Sequence, residues 1–244
     1  MWLRELAELA HGVAHLLYPP ACLICDSSET EPLRHGLCSN CLRSITADPA
    51  EVCPWCASTV GPHTDVTRGC VVCQPRSFGF DGAYRLGPYE GRLRDAILRI
   101  KNAAGEPLAE MLGRVVADQM ATELKAAGVD LVVPVPLHWR RRWSRGYNQA
   151  AAIGREVAAG LGIDFRPVWL RRIRGVTQYA QPSASARREN IRGAFRVSHR
   201  ASFDSRVVLL VDDVMTTGST LSEAARVLRV AGARKVIAAV LARA

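Results

Sequence analysis

The stretch RVVLLVDDVMTTGSTL, Arg206 to Leu221, decides the fold. Val207 to Val211 is an unbroken apolar run bounded by charge, the pattern of a central parallel strand covered on both faces. Asp212 and Asp213 follow directly, placing two carboxylates at the carboxyl edge of a sheet, where open α/β folds bind ligands. Met215-Thr216-Thr217-Gly218-Ser219-Thr220 then forms a hydroxyl-rich loop that opens an apolar-periodic helix. Its glycine permits close backbone approach, and helix-start amides with hydroxyls suit a phosphate monoester. The paired carboxylates suit the vicinal hydroxyls of a ribose and a nearby Mg²⁺. A plainer account makes Asp213 the end of the strand and Ser219 or Thr220 a helix cap. Adjacent aspartates argue against it, because like charges side by side are costly unless a ligand shares them.

The 244 residues accommodate one α/β domain and a small appendage, and 48% hydrophobic content supplies a core. Only 6% are aromatic, so aliphatic side chains must do most of the packing. No apolar run is long enough to span a bilayer. Residues 1–18 place Trp2, Leu6, Leu9, Val13, Leu16 and Leu17 at helical spacing, interrupted by Glu5, Glu8, His11 and His15. Acids there do not suit a signal peptide, so a packing helix and a cytoplasmic location are expected. The net charge of +9 is uneven: residues 134–206 carry fifteen arginines against four acids, and the remainder is near neutral. Such clustering points to anionic ligands, either a pyrophosphate or a nucleic-acid backbone.

All eight cysteines fall in C-x-x-C pairs: Cys22/Cys25, Cys38/Cys41, Cys53/Cys56 and Cys70/Cys73. The unit C-x₂-C-x₁₂₋₁₃-C-x₂-C thus occurs twice. Among reduced thiols this spacing favours two structural Zn²⁺ sites over a disulfide framework. Sequential pairing would give tandem ribbons and interleaved pairing a cross-braced module; ribbon-like spacing within each unit favours the former. His35 and His63 are then loop residues.

Beyond Cys73, Phe78 to Leu86 reads as a short strand or hairpin that gives way at Gly87-Pro88. Helices are expected from Tyr89 to Ala103 and from Pro107 to near Gly128, with Lys101 near the first helix's end, where it would suit the dipole. Asp130 to Leu137 is a buried strand that turns at Pro134, Val135 and Pro136. The following His138-to-Gln149 segment interleaves Arg140, Arg141, Arg142 and Arg145 with Trp139, Trp143 and Tyr147. Two chemistries fit it, a nucleic-acid stacking surface and a pyrophosphate loop. Its place between a strand and a helix running from Tyr147 to Ala159 favours the loop. Val168 to Leu170 is a short strand, and the polar stretch to Asn190 is expected to be a lid. Phe195 to Val197 returns to extended structure, a helix from Leu221 to Ala231 ends at Gly232, and Lys235 to Leu241 is a last strand.

The Arg206-to-Leu221 stretch resembles the phosphoribosyl-pyrophosphate (PRPP) motif of type I phosphoribosyltransferases. The order of features along the whole chain resembles the ComF family, competence-associated members of that superfamily with an N-terminal double zinc ribbon. The resemblance rests on the cysteine pairs, Pro134 to Leu137, the Arg145-Gly-Tyr-Asn-Gln149 run, Thr177-Gln178 with Arg187 and Asn190, and Asp212 to Thr220. The family's compact K-[FY]-x-G is Lys101-Asn-Ala-Ala-Gly105 here, and Tyr179-Ala-Gln181 stands where a lid leucine is usual. The resemblance implies a parallel sheet flanked by helices over residues 77–244, preceded by a zinc module over 1–76. It implies that Asp212 and Asp213 hold the ribose, that Met215 to Thr220 hold the 5′-phosphate, and that Mg²⁺ accompanies the pyrophosphate. Pro134, Val135, Pro136, Arg145, Arg171 and Arg187 would face the pyrophosphate and the lid. The function expected is phosphoribosyl transfer to an unidentified acceptor, linked to DNA uptake. The alternatives are a non-catalytic protein that binds PRPP or nucleic acid and works in DNA uptake or regulation, and a structural adaptor assembled through its zinc module; single-stranded DNA and DNA-uptake proteins are the partners considered.

Overall fold

The computed structural model describes residues 2, 21–28, 33–48, 50–175 and 189–244, the side chain of Arg140 aside. The helix expected over 1–18 therefore lies outside the described residues except for Trp2, as do the lid residues Thr177, Gln178, Tyr179, Gln181 and Arg187.

Five parallel strands form the central sheet: β3 (Gly82–Pro88), β4 (Leu131–Pro134), β5 (Asp164–Phe165), β8 (Val207–Met215) and β9 (Lys235–Arg243), in the order β3-β9-β8-β4-β5. The strand of the PRPP-like stretch is thus the middle one. Its pleat explains the unbroken apolar run. Val207, Leu209 and Val211 point to a core shared with Ile97, Met111, Leu112, Ile153 and Val157. These belong to α2 (Gly91–Arg99), α3 (Glu106–Ala126) and α5 (Gln149–Leu161). Val208 and Leu210 point the other way, to Leu221, Ala224, Ala225 and Leu228 of α6 (Ser219–Val230). That face also holds Leu170 of β6 (Leu170–Arg172) and Phe195 of β7 (Phe195–Val197), an antiparallel pair outside the main sheet. Both layers are needed because neither face of β8 tolerates water. Helices α3 and α5 cross closely at Gly113, where a Cβ would stand 2.6 Å from the Ile153 carbonyl oxygen.

Several boundaries differ from the sequence reading. Strand β8 continues four residues past Val211, through both aspartates, because its ladder to β9 persists with Asp212 opposite Val240 and Met215 opposite Arg243. The segment after Pro136 is not simply a loop. Trp139–Arg145 forms a short helix, α4, closed by Gly146 with φ 79°, and α5 starts only at Gln149. Asn148 caps α5: its side chain accepts the Ala150 amide at 3.2 Å. Helix α2 stops at Arg99, leaving Lys101 in the turn beyond it.

The Cys-rich segment folds around α1 (Ser39–Thr46) and an antiparallel pair, β1 (Glu51–Val52) with β2 (Thr59–Val60). It does not hang free. Cys22, Leu37, Cys38, Cys41 and Ile45 join the same core cluster as Leu86 and Leu93. Arg85 of β3, almost fully buried, donates to Asp48 Oδ2 at 2.8 Å and to the Ala57 carbonyl at 3.1 Å. Among the described residues, no helix is long and apolar enough to cross a membrane.

Candidate functional site

Because β8 carries both aspartates, its pleat sends them to opposite faces. Asp213 shares the side of Val211 and meets what that layer provides. Its Oδ2 accepts from Gln149 Nε2 at 3.2 Å and lies 3.7 Å from Lys101 Nζ, while its Oδ1 accepts the Val214 amide at 2.8 Å. Asp212 shares the side of Leu210. Its Oδ1 accepts the Asp213 amide at 2.9 Å, and the nearby positive charge is Arg172 of β6. Burial, and then the neighbouring Asp213 carboxylate, push the Asp212 carboxyl well above its usual range; Arg172 works against them. Arg172 in turn stacks over the Phe195 ring at 5.6 Å, and burial together with Arg141 lowers its own proton affinity. One strand thus holds two carboxylates, each fixed by a backbone amide, with a cation on either side.

Lys101 and Gln149 were not singled out by sequence reasoning as site residues. The dipole explanation of Lys101 gives way to an ion pair with Asp213. A turn rather than a helix end sets it there, anchored by the Tyr147 hydroxyl donating to the Ile100 carbonyl. The signal for Gln149 lay in the Arg145-to-Gln149 run, whose last residue opens α5. Its Oε1 is buried with no hydrogen-bond partner among the described residues. A buried, unpaired acceptor is costly, on the order of 1–3 kcal/mol, unless something donates to it.

The hydroxyl-rich loop sits at the end of β8. Gly218, not Ser219 or Thr220, is the N-cap of α6; it has φ 73° and offers no side chain to the helix. Capping by Ser219 or Thr220 therefore fails; Thr217 Oγ1 accepts the Ser219 amide at 3.4 Å instead, and the first turn contains no acid. Thr217 Oγ1 and Ser219 Oγ lie 2.8 Å apart. A Cβ at Gly218 would meet Phe78 Cε1 at 2.8 Å, so position and conformation both demand glycine. From behind, Arg243 holds the loop: Nη1 donates to the Met215 carbonyl at 3.1 Å and to the Thr216 carbonyl, and Nε donates to the Cys56 carbonyl at 3.2 Å.

Pro134 ends β4, and the chain turns with the Val135 amide donating to the Val211 carbonyl at 2.8 Å. Asn148 Nδ2 donates to the Val135 carbonyl at 3.1 Å, tying this Pro134-to-Pro136 turn to the start of α5. Arg145, in the last turn of α4, is half-buried, and its charge acts on Tyr147. Arg171 is exposed, whereas its strand neighbour Arg172 is the arginine beside Asp212. Part of the arginine cluster is structural: Arg155 meets Glu106 and Glu110, and Arg206 meets Asp130 and Asp164.

Two cysteine sets gather as Cys22, Cys25, Cys38, Cys41 and as Cys53, Cys56, Cys70, Cys73, with all sulfurs of a set within 4.8 Å. The units pair sequentially. Sulfur separations of 3.6 Å (Cys56 to Cys70) and 3.8 Å (Cys25 to Cys38, Cys53 to Cys73) far exceed a disulfide bond. They match the edge of a tetrahedron whose corners lie about 2.3 Å from a central ion, the Zn–S distance. Both sets are closed, which suits structural zinc. The Ser27 hydroxyl and amide lower Cys25 to about 6, easing formation of a thiolate. Arg92 of α2 donates to Cys41 Sγ at 2.8 Å, stabilising negative charge in the first set. His35 is instead bonded to Asp118 at 2.7 Å, and His63 belongs to neither set.

Comparison with known proteins agrees with this geometry. The phosphoribosyl transferase domain family matches residues 110–244, and the double zinc ribbon domain matches residues 13–75. Competence protein F of Haemophilus influenzae is 33% identical over 217 residues, covering 86% of this chain and 92% of that protein. The DNA utilization protein YhgH of Escherichia coli K12 is 29% identical over 204 residues, covering 82% and 87%. A solved glutamine PRPP amidotransferase from B. subtilis overlaps 54% of this chain and 25% of its own, at 24% identity and a TM-score of 0.36, too loosely to add to the assignment. A parallel five-stranded sheet with the phosphoribosyl transferase match, behind two tetracysteine sets, places this chain in the ComF family of phosphoribosyltransferase-domain proteins with an N-terminal double zinc ribbon.

Proposed function

We propose that the chain binds PRPP with Mg²⁺ at the carboxyl edge of β8 and transfers the phosphoribosyl group to an acceptor. The observation that carries this reading is the opposed fixing of Asp212 and Asp213 beside a helix start whose N-cap, Gly218, supplies no side chain. Each carboxylate has one oxygen held by a backbone amide, which aims the group at the ribose hydroxyls. The Thr216-to-Thr220 loop offers amides and hydroxyls to the 5′-phosphate. The acid pair, with the unpaired Gln149 Oε1 nearby, is a donor set that fits Mg²⁺ and its waters. Once bound, the ion supplies charge neutralisation to the pyrophosphate.

The chain's own work is positioning and electrostatics. Lys101 and Gln149 orient the Asp213 carboxylate from one face, and Arg172 favours the ionised form of Asp212 from the other. Departure of pyrophosphate from C1 leaves an oxocarbenium-like centre that an acceptor nitrogen attacks, so no protein nucleophile is needed. Lys101 and Arg145, both near this edge, are the cations placed to meet the charge that develops on the leaving group. The division at residues 76/77 is, in this reading, one of sequence and not of stability, because the first cysteine set shares the main core. Two closed thiol sets suit the reducing conditions of a cytoplasmic location. The name of one relative, DNA utilization protein, supports a role in the handling of DNA.

Pyrophosphate release, followed with PRPP, Mg²⁺ and a panel of bases and amines, tests this function. Acceptor-dependent release that disappears in Asp213→Asn supports it; release that survives the substitution contradicts it. A second reading, in which DNA binds without catalysis, is favoured by one feature: Trp139 and Trp143 are 59% and 84% exposed on a helix carrying Arg141, Arg142 and Arg145. Single-stranded DNA affinity that does not fall with rising salt, or that ignores Arg141→Ala/Arg142→Ala, would count against it.

A further inference from the structure

The two cysteine sets are alike in ligands and unlike in access. In the second set every thiol is buried, at 6% exposure or less. In the first, Cys22, Cys38 and Cys41 are as well enclosed, whereas Cys25 lies at the surface. Of the chain's eight cysteines it alone is exposed. Its sulfur stands 3.8 Å from that of Cys38, so a short shift brings the pair to the bonding distance of about 2.05 Å. The second set has the same separation, Cys53 to Cys73 at 3.8 Å, but no exposed member. A reagent arriving from solution therefore meets one set and not the other.

The first set is also tied to the candidate site. Arg92, in the first turn of α2, donates to Cys41 Sγ at 2.8 Å. Arg99, the last residue of α2, donates to the Ile24 carbonyl at 2.7 Å, inside the Cys22-to-Cys25 knuckle. Between them Leu93 and Ile97, on the buried face of α2, belong to the core cluster that contains Cys22, Cys38 and Cys41. Lys101 follows Arg99 by two residues and lies 3.7 Å from Asp213. The helix is thus clamped at both ends by the first set, and it leads into the cation beside Asp213. A helix of nine residues is marginal on its own, so α2 owes its position to such contacts.

We propose that Cys25 and Cys38 form an oxidation site for hydroperoxides. The Cys25 thiolate attacks the terminal oxygen of the peroxide: an S–O bond forms, the O–O bond breaks, and the departing alkoxide takes a proton from solvent. The Cys38 thiolate then attacks the Cys25 sulfur; an S–S bond forms, and hydroxide leaves and is protonated. Two thiolates, one hydroperoxide and two protons give one disulfide, one alcohol and one water. The set keeps two of its four thiolates and no longer closes around an ion, which releases α2 and displaces Lys101. In reducing surroundings such a bond is transient, so the change reverses. The oxidation stands apart from the proposed function, whereas its effect on ligand binding rests on the PRPP reading.

The whole zinc-loaded chain is treated with hydrogen peroxide while a chromogenic chelator records metal release, and disulfides are mapped by mass spectrometry. One of two zinc equivalents should leave about tenfold or more faster than the other, with a bond between Cys25 and Cys38. Cys25→His keeps a zinc ligand but removes the oxidisable sulfur, so the fast phase should disappear. If that variant fails to hold two equivalents, the mapping in wild type decides. Dithiothreitol with added zinc should restore the starting protein. Calorimetry should show PRPP affinity, with Mg²⁺ present, lowered about tenfold by oxidation and recovered on reduction. Equal release from both sets, or a first disulfide that omits Cys25, overturns the oxidation site; a bond from Cys25 to Cys22 or Cys41 overturns its pairing with Cys38. PRPP binding unchanged after release overturns the coupling through α2. PRPP binding absent from the untreated protein overturns the PRPP reading and the coupling with it, while zinc release and the mapped bond still decide the oxidation site.

Discussion

Arg243 joins the second cysteine set to the loop proposed to hold the 5′-phosphate, and replacing it with methionine should weaken both stability and ligand binding. The side chain lies in a residue only 7% exposed and donates to the carbonyls of Cys56, Met215 and Thr216. Methionine keeps most of the apolar contact but leaves the Cys56 and Thr216 carbonyls without a donor, whereas the Met215 carbonyl keeps the Ala244 amide at 3.0 Å. At roughly 1–3 kcal/mol for each buried group left unsatisfied, two such groups give a gross loss of about 2–6 kcal/mol. Relief of a buried charge offsets part of it: burial depresses the Arg243 proton affinity, and Arg76 and Arg85 repel it. A net loss of about 2–3 kcal/mol is expected in urea unfolding, which also reads whether cooperativity is preserved. PRPP affinity should fall about tenfold, the equivalent of about 1.4 kcal/mol, because the Thr216 carbonyl loses its anchor. Arg243→Lys should recover only part of this, since an ammonium cannot reach divergent carbonyls as a planar fork does. If the coupling runs through Cys56, then Cys70→Ser, which disrupts the second set, should reduce the further effect of Arg243→Met on PRPP binding. Stability within about 0.5 kcal/mol of wild type together with unchanged PRPP affinity would refute the latch.

Gly218→Ala places a Cβ against Phe78 at a residue with φ 73°, and should cost about 1–2 kcal/mol of unfolding free energy while abolishing PRPP binding. Leu210→Ala, deep in the α6 face of the sheet, should lower stability by about 2–5 kcal/mol in urea with cooperativity kept. For Asp212 the sign follows from its raised folded-state pKa, set by burial and Asp213: the folded state binds more protons than the unfolded one, so stability falls as pH rises from 3.8 through that raised value. Asp212→Asn should therefore raise the melting temperature at neutral pH and flatten the pH profile, even as PRPP binding is lost. In wild type, PRPP affinity in the presence of Mg²⁺ should increase through the same window as Asp212 ionises.

The layers of the fold were legible because β8 has one apolar residue after another, a pattern that only a doubly covered strand explains. Cysteine spacing was equally direct, and the 3.6–3.8 Å sulfur separations follow the sequential pairing that each unit suggested. Other features depended on tertiary contacts with no local signature. Strand β8 runs through Asp212 and Asp213 because β9 continues to pair with it, and a pair of acids gives no hint of that. Whether Lys101 serves a helix dipole or an ion pair is decided by where α2 stops, which Tyr147 fixes from 47 residues away. Between Arg171 and Arg172, only the facing of β6 selects the one beside Asp212. The role of Arg243 was hidden for the same reason, since its partners come from Cys56 and from the turn after β8.

The central claim is that Asp212, Asp213 and the loop from Met215 to Thr220 form a PRPP site. Calorimetric titration of the purified, zinc-loaded protein with PRPP and Mg²⁺, repeated on Asp212→Asn/Asp213→Asn, addresses it most directly. Saturable, Mg²⁺-dependent binding to wild type that is lost in the variant is the predicted result. No binding to wild type, or equal binding to both proteins, would contradict it.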